Sequence, residues 1–215
     1  MRRDDQTDVA RPRKRGRPRL DAKIVPQILD GAERLFARRG VTVSIREIAE
    51  EAGLPHSTIY RYFESKDEVL HKVLLRGRKR QIEHEAEERA AGRTTQGAID
   101  WLMEHNRAYF MTVARAALDG ETTTSLGLET AGGTPRRSLQ ILKNGGLPVE
   151  LRTDHDPRMI VAALMALSVG WVTAEDWIVD AVGMPDCDRH KVRAAIDDIM
   201  ASMVAMGRGP EASCE

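Results

Sequence analysis

Residues 43–68 read Val-Ser-Ile-Arg-Glu-Ile-Ala-Glu-Glu-Ala-Gly-Leu-Pro-His-Ser-Thr-Ile-Tyr-Arg-Tyr-Phe-Glu-Ser-Lys-Asp-Glu. The spacing predicts two short helices joined by a tight turn, with a third helix starting directly after. Ser44 and Glu47 form a capping box: the hydroxyl accepts from the Glu47 amide and the carboxylate reaches back to the Ser44 amide. Ile45, Ile48, Ala49 and Ala52 recur at helical intervals and give the first helix one apolar face, too short to stand alone. Gly53 falls where the chain must turn and takes a positive φ at little cost. The next helix turns Ile59 and Phe63 inward and leaves His56, Ser57 and Tyr60 on another face. Ser65 with Glu68 is a second capping box, opening a helix whose Val69, Leu70, Val73 and Leu74 point inward. A short helix with a polar outer face, braced in this way, is how a helix-turn-helix offers side chains to a DNA major groove.

The run from Ile45 to Leu54 followed by Thr58-Ile-Tyr-Arg-Tyr-Phe-Glu-Ser-Lys-Asp-Glu-Val-Leu70 resembles the DNA-binding domain of the TetR family of bacterial transcriptional regulators. Ile28-Leu-Asp-Gly-Ala-Glu-Arg-Leu-Phe-Ala-Arg-Arg-Gly40 resembles that family's first helix, so the likeness spans about residues 24–75. It implies an all-α fold: an N-terminal three-helix helix-turn-helix domain, then a larger helical ligand-binding and dimerisation domain. By position it implies that Ser44 and Arg46 meet backbone phosphates at the start of the second helix. It also implies that His56, Ser57 and Thr58 face the bases, and that Tyr60, Tyr62 and Lys66 contact phosphate. Leu54-Pro55-His56 departs from the family, many of whose members carry a serine-type cap there; a proline is compatible with a first helical turn.

Charge points the same way. The chain is neutral, with 33 basic and 33 acidic residues. Residues 1–80 nevertheless hold 20 Lys and Arg against 12 Asp and Glu, and residues 81–215 hold 13 against 21. A basic end on an acidic body suits a polyanion at that end only. Residues 11–19 contain six basic residues in nine, without apolar pattern, a composition expected to be disordered when free. Within it Arg15-Gly-Arg17-Pro-Arg19 resembles an AT-hook. Two readings stand: arginines drawn into a narrow A·T-rich minor groove, or a tail adding non-specific affinity. No apolar segment of signal-peptide type follows.

The sequence divides into a basic arm (1–20), the helix-turn-helix domain (21–75), a helical effector-binding and dimerisation domain (76–207) and a disordered tail (208–215). No sustained period-two alternation predicts strands. Helices are expected over 76–93, 96–118, about 135–144, 156–182 and from Asp188 to about Met206, with breaks at Gly92 and Thr94-Thr95. The segment 119–134, rich in Gly and Thr, is the least ordered by composition. On the 96–118 helix, Ile99, Leu102, Met103, Asn106, Tyr109, Phe110, Val113 and Ala117 form one face. On the last helix Val192, Ile196, Ile199, Met203 and Met206 form a stripe. The sixteen residues Met159–Ala174 carry no charge; the run is too short and too closely flanked by charge to span a membrane. A soluble helix apolar all round must be buried on most sides, which in a small bundle implies a partner beyond its own chain. The resemblance assigns the last two helices to a homodimer interface, which would set two recognition helices roughly 34–36 Å apart.

Trp101, His105 and Tyr109 fall on one line of the 96–118 helix, and Trp171 and Glu175 lie a turn apart on the apolar helix. Aromatic groups with a few polar ones are what a small-molecule cavity is built from, although the same stripe also serves simple packing. No phosphate loop, nucleophile elbow or paired-histidine motif is present. Cys187 and His190 alone do not close a metal site, and two distant cysteines suit a reduced, cytoplasmic protein. The reading is therefore non-enzymatic, with no cofactor and no metal: a regulator that binds double-stranded operator DNA as a homodimer, most simply a repressor released by a small-molecule effector. The competing readings are an activating or nucleoid-associated relative dominated by the basic arm, and a helical ligand carrier with vestigial DNA binding.

Overall fold

The computed structural model describes residues 23–92, 97–128 and 157–205. The basic arm with Arg15, Arg17 and Arg19, the Thr94-Thr95 break, the 135–144 helix and the C-terminal tail lie outside the described residues. Those described are helical or in turns: α1 (Ile24–Arg39), α2 (Ile45–Glu51), α3 (His56–Ile59), α4 (Lys66–Ala90), α5 (Ala98–Trp101), α6 (Arg107–Leu118), α7 (Pro157–Ala181) and α8 (Arg189–Ala205). A π-helical turn, Leu102–Asn106, joins α5 to α6.

Two apolar cores form. The first gathers Ile28, Leu35 and Phe36 of α1, Ile48 of α2, Ile59, Phe63 and the inward face of α4. It continues past the helix-turn-helix to take in Tyr109, Ala116 and Leu126. The second is smaller and joins Ile99 and Leu102 to Trp171, Val172 and Val179 of α7 and Met200 of α8. Gly31 lets α1 lie against α2, since a Cβ there would come within 2.9 Å of the Ala52 backbone. Gly77 does the same between α4 and α6, where a Cβ would meet the Tyr109 ring at 2.5 Å.

Several expectations change. Ser65 Oγ accepts from the Glu68 amide at 3.1 Å, but the Glu68 carboxylate takes the Glu64 amide at 2.7 Å, so the second box is only half closed. The π turn shifts the helical register, and Ala116 is buried where Ala117 is exposed. On α8, Ile199 is half exposed while Asp197 and Met200 are buried, because the helix turns its Asp197 edge to the start of α5. Residues 119–128 are ordered turns: Thr122 and Ser125 exchange hydrogen bonds, and Leu126 is buried against the first core. Gly127 packs where a Cβ would meet the His71 ring at 2.7 Å.

The helix α7 departs from helical geometry at Ala174 (φ −133°, ψ 18°). Thr173 Oγ1 just before it donates to the Val169 and Gly170 carbonyls, a back-bonding that bends helices. By length and composition this segment could cross a membrane. Its Val161, Trp171, Val172 and Val179 are instead buried within the bundle.

Candidate nucleic-acid interface

The helix-turn-helix is built outward from the first core. Ser44 stands in extended backbone (φ −96°, ψ 160°); its Oγ accepts from Glu47 N at 3.3 Å, and Glu47 Oε2 accepts from Ser44 N at 2.8 Å. The reciprocal box supplies two partners for amides that the first turn of α2 cannot satisfy itself. The backbone and side-chain hydrogen bonds from Ser44, reinforced by Arg39 at 2.5 Å, hold the Glu47 carboxyl down at about 2. Gly53 then turns the chain at φ 67°.

Pro55 occupies the cap position of α3 in extended backbone (φ −60°, ψ 138°), and no side chain caps the helix. Its carbonyl accepts from Thr58 N at 2.9 Å, so the backbone alone starts the turn. Ile59, fully buried, and Phe63, 5% exposed, anchor this short element from below. Above them His56 and Ser57 are exposed, Thr58 is half-buried, and Tyr60 stands 59% exposed. An aromatic side chain that open on a firmly anchored helix has no packing role to explain it. Arg46 is exposed and pairs with Glu50 one turn on at 3.1 Å. Tyr62 is half-buried against the first core. Lys66 is half-buried and donates from Nζ to the Val41 carbonyl at 2.6 Å, using one of its three protons and fastening α4 to the loop before Ser44.

The residues expected around an effector are brought together only in part. Trp101 stacks on His84 with ring centroids 4.0 Å apart, and on His105 at 5.8 Å. The π turn swings the line apart: His105 is exposed, whereas Tyr109 is buried in the first core against Gly77 and Phe110. Trp171 and Glu175 are buried in the second core and occupied with each other, Trp171 Nε1 donating to Glu175 Oε1 at 2.9 Å. Arg193 forks onto Glu175 at 2.6 and 2.7 Å and reaches Asp100 at 3.1 Å. Burial alone would raise the Glu175 pKa, but the hydrogen bonds from Arg193 and Trp171 bring it below the ordinary carboxylate range.

What the sequence did not reveal is a cleft of about 630 Å³ where α1, α4, the π turn and α6 meet. Arg34, Arg38, Arg80, Arg107 and Arg115 line it, with His105 as the one member of the expected effector set. The signal was absent because these side chains come together only through the tertiary fold: Arg80 pairs with Glu33, 47 positions away in the chain. Elsewhere, Asp100, Glu104 and His190 place ligand-type atoms within 4.8 Å of one another. Asp100, however, already accepts from Arg193, a cation that opposes a metal there. Cys187 Sγ meets Arg189 at 2.8 Å, and His190 turns to Asp100 at 3.0 Å.

Comparison with known proteins gives this arrangement its context. The family model for "Bacterial regulatory proteins, tetR family" matches residues 28–73. The chain is 27% identical over 187 residues to the HTH-type transcriptional repressor Rv3405c of Mycobacterium tuberculosis (strain ATCC 25618 / H37Rv), covering 85% of this chain and 89% of that one. Among solved structures, the fatty acid degradation regulator FadR from Bacillus halodurans shares the fold at a TM-score of 0.61 and 16% identity, over 83% of this chain and 94% of its own. NalD, the secondary repressor of the MexAB-OprM multidrug efflux pump in Pseudomonas aeruginosa, shares it at 0.57 and 22%, over 87% and 98%. With its capped α2 and its anchored, outward-facing α3, the stretch matched at residues 28–73 is similar to the helix-turn-helix domain of bacterial regulatory proteins of the tetR family, and a helical body stands behind it.

Proposed function

We propose that the protein is a homodimeric repressor that leaves its operator when a small molecule occupies the helical body. The observation that carries the reading is the exposure of His56, Ser57 and Tyr60 above the buried Ile59 and Phe63. In this assignment His56, Ser57 and Thr58 read base edges, while Ser44, Arg46, Tyr60, Tyr62 and Lys66 hold phosphates. Arg15, Arg17 and Arg19 add minor-groove or non-specific contacts. The repressor named among its relatives, similar over most of both chains, supports the sense of the regulation.

A second copy is the occupant proposed for the outer face of α7. Met159, Met165 and Trp177 are 67%, 40% and 73% exposed there. Ala162 and Ala166 lie between them, and a Cβ on Gly170 would meet nothing within 4 Å. Ile199 of α8 adds to the same need for cover. A two-fold pairing through α7 and α8 would bury this surface and present two copies of α3 to successive turns of a duplex.

The test is fluorescence anisotropy on the DNA flanking the protein's own gene. Tyr60→Ala is expected to weaken binding roughly tenfold, about 1.4 kcal/mol, with an unchanged melting temperature. Lys66→Ala should weaken all sequences alike and flatten the salt slope, whereas His56→Ala or Ser57→Ala should change base preference. Deleting residues 1–20 should leave weaker but still selective binding; loss of all selectivity would favour the arm-dominated reading. No retention of DNA at low salt, with Tyr60→Ala indistinguishable from the parent, would overturn the proposal.

A further inference from the structure

The geometry points to the arginine-lined cleft between α1, α4 and α6 as a receptor for a small molecule carrying at least two phosphate charges. This rests on the effector reading above and gives that effector a chemical class. The carboxylates nearby are too few for the guanidiniums. Glu51 is shared by Arg34 at 3.0 Å and Arg38 at 2.5 Å. Glu33 is shared by Arg76 and Arg80. Each shared carboxylate leaves about one positive charge over, relieved in part by Asp30 on Arg76 and by Glu104 in the cleft wall.

Arg107 and Arg115 pair with no carboxylate among the described residues. Each spends only its Nε, on the Val172 carbonyl at 3.3 Å and the Ala37 carbonyl at 2.8 Å respectively. Their terminal nitrogens meet no acceptor among the described residues. Both side chains are thereby aimed and braced while their donor forks stay available. One carboxylate offers two oxygens and a single charge and would satisfy one fork. A di- or triphosphate offers several oxygens and charges at once, which matches guanidiniums converging from three helices. The volume falls within the range of drug-sized ligand sites. Ala37, Ala108 and Met111 supply an apolar wall for the remainder of such a molecule.

The cleft also sits where occupancy would matter. Arg34 and Arg38 belong to α1 of the DNA-binding end, and Arg107 ties α6 to α7 at the kink. A polyanion held between them would fix the distance between α1 and the body.

Inorganic pyrophosphate is the probe, titrated calorimetrically into the full-length protein at physiological salt. Arg107→Gln combined with Arg115→Gln is expected to weaken its binding at least tenfold. Arg61→Gln, exposed and outside the cleft, should leave it unchanged. If the double variant fails to fold, Arg107→Gln alone, at an exposed position, should still weaken binding several-fold. Equal affinity in the variants and the parent overturns the inference, as does absence of binding to the parent. Pyrophosphate held in an arginine-dependent way by a protein that retains no DNA would sink the proposed regulatory function and leave the cleft standing.

Discussion

The DNA-binding end and the second core of the body are both helical, yet they are held by different means. At the DNA-binding end, side chains such as Ile28, Phe36, Ile48, Ile59 and Val73 are almost fully buried and apolar; its buried charge, Glu33, lies at the border with the body, paired with Arg76 and Arg80, and caps and surface ion pairs occupy the margins. The second core has fewer apolar members and carries charge inside it: Glu175, Arg193 and Asp197 sit among Ile99, Trp171 and Val179. Apolar packing tolerates no void, whereas a buried ionic group tolerates no missing partner. One end should fail through cavities, the other through unpaired charge.

The largest expected effect is Phe36→Ala, a loss of about 3–5 kcal/mol, read by urea denaturation. It should uncouple DNA binding while far-UV dichroism of the body persists under mild conditions. Next comes Glu175→Ala, expected to cost about 3 kcal/mol because Arg193 would be left buried with only Asp100. Combining Glu175→Leu with Arg193→Met should recover most of that loss. Recovery would establish that the ion pair supplies specificity of packing more than stability; no recovery would erase the contrast drawn between the ends.

Acid should separate the two regions further. Burial pushes the Asp197 carboxyl up to about 6 from 3.8, although the Ile99 and Gly97 amides bond to it. Its Oδ2 is buried without a partner. A group whose folded pKa is raised binds its proton more tightly when folded, so the contribution of Asp197 is complete below about pH 4 and is lost as pH rises to about 6. Asp197→Asn should abolish that slope and raise stability at neutral pH by about 1–2 kcal/mol. Glu47 runs in the opposite sense. Its folded pKa of about 2 lies below the ordinary 4.5, so its contribution is complete above that value and disappears as pH falls toward 2. Asp197→Asn and Glu47→Gln should therefore change the slope of thermal melts across pH 3–7 in opposite senses. The smallest effect is Ser44→Ala, about 1 kcal/mol from loss of the cap, visible as a modest fall in melting temperature.

How far the residues foretold the molecule follows the same divide. The capping of α2, the positive φ at Gly53 and the inward Ile59 and Phe63 are local matters, settled within one or two turns, and they were legible. Ser44 names its partner three residues away. Arg193 and Asp100 are 93 positions apart, and nothing in their spacing announces the contact. The π turn is likewise silent in composition, and across it His105 is left exposed while Tyr109 is buried. The cleft escaped for a related reason: its arginines meet only when α1, α4 and α6 are folded together. Lys66, assigned to phosphate by position, holds the Val41 carbonyl, a backbone contact that no side-chain pattern encodes.

Phe110 is, among the described residues, the one side chain packed against both cores. Rocking of one core over the other would wet little hydrocarbon and so carry a small heat-capacity change. Most of its energy would lie in trading hydrogen bonds such as Asn106 to Gly77 and Arg107 to Val172 for water. Scanning calorimetry could thus distinguish a swing between signalling states from melting of either half: the first nearly athermal in curvature, the second steeply curved.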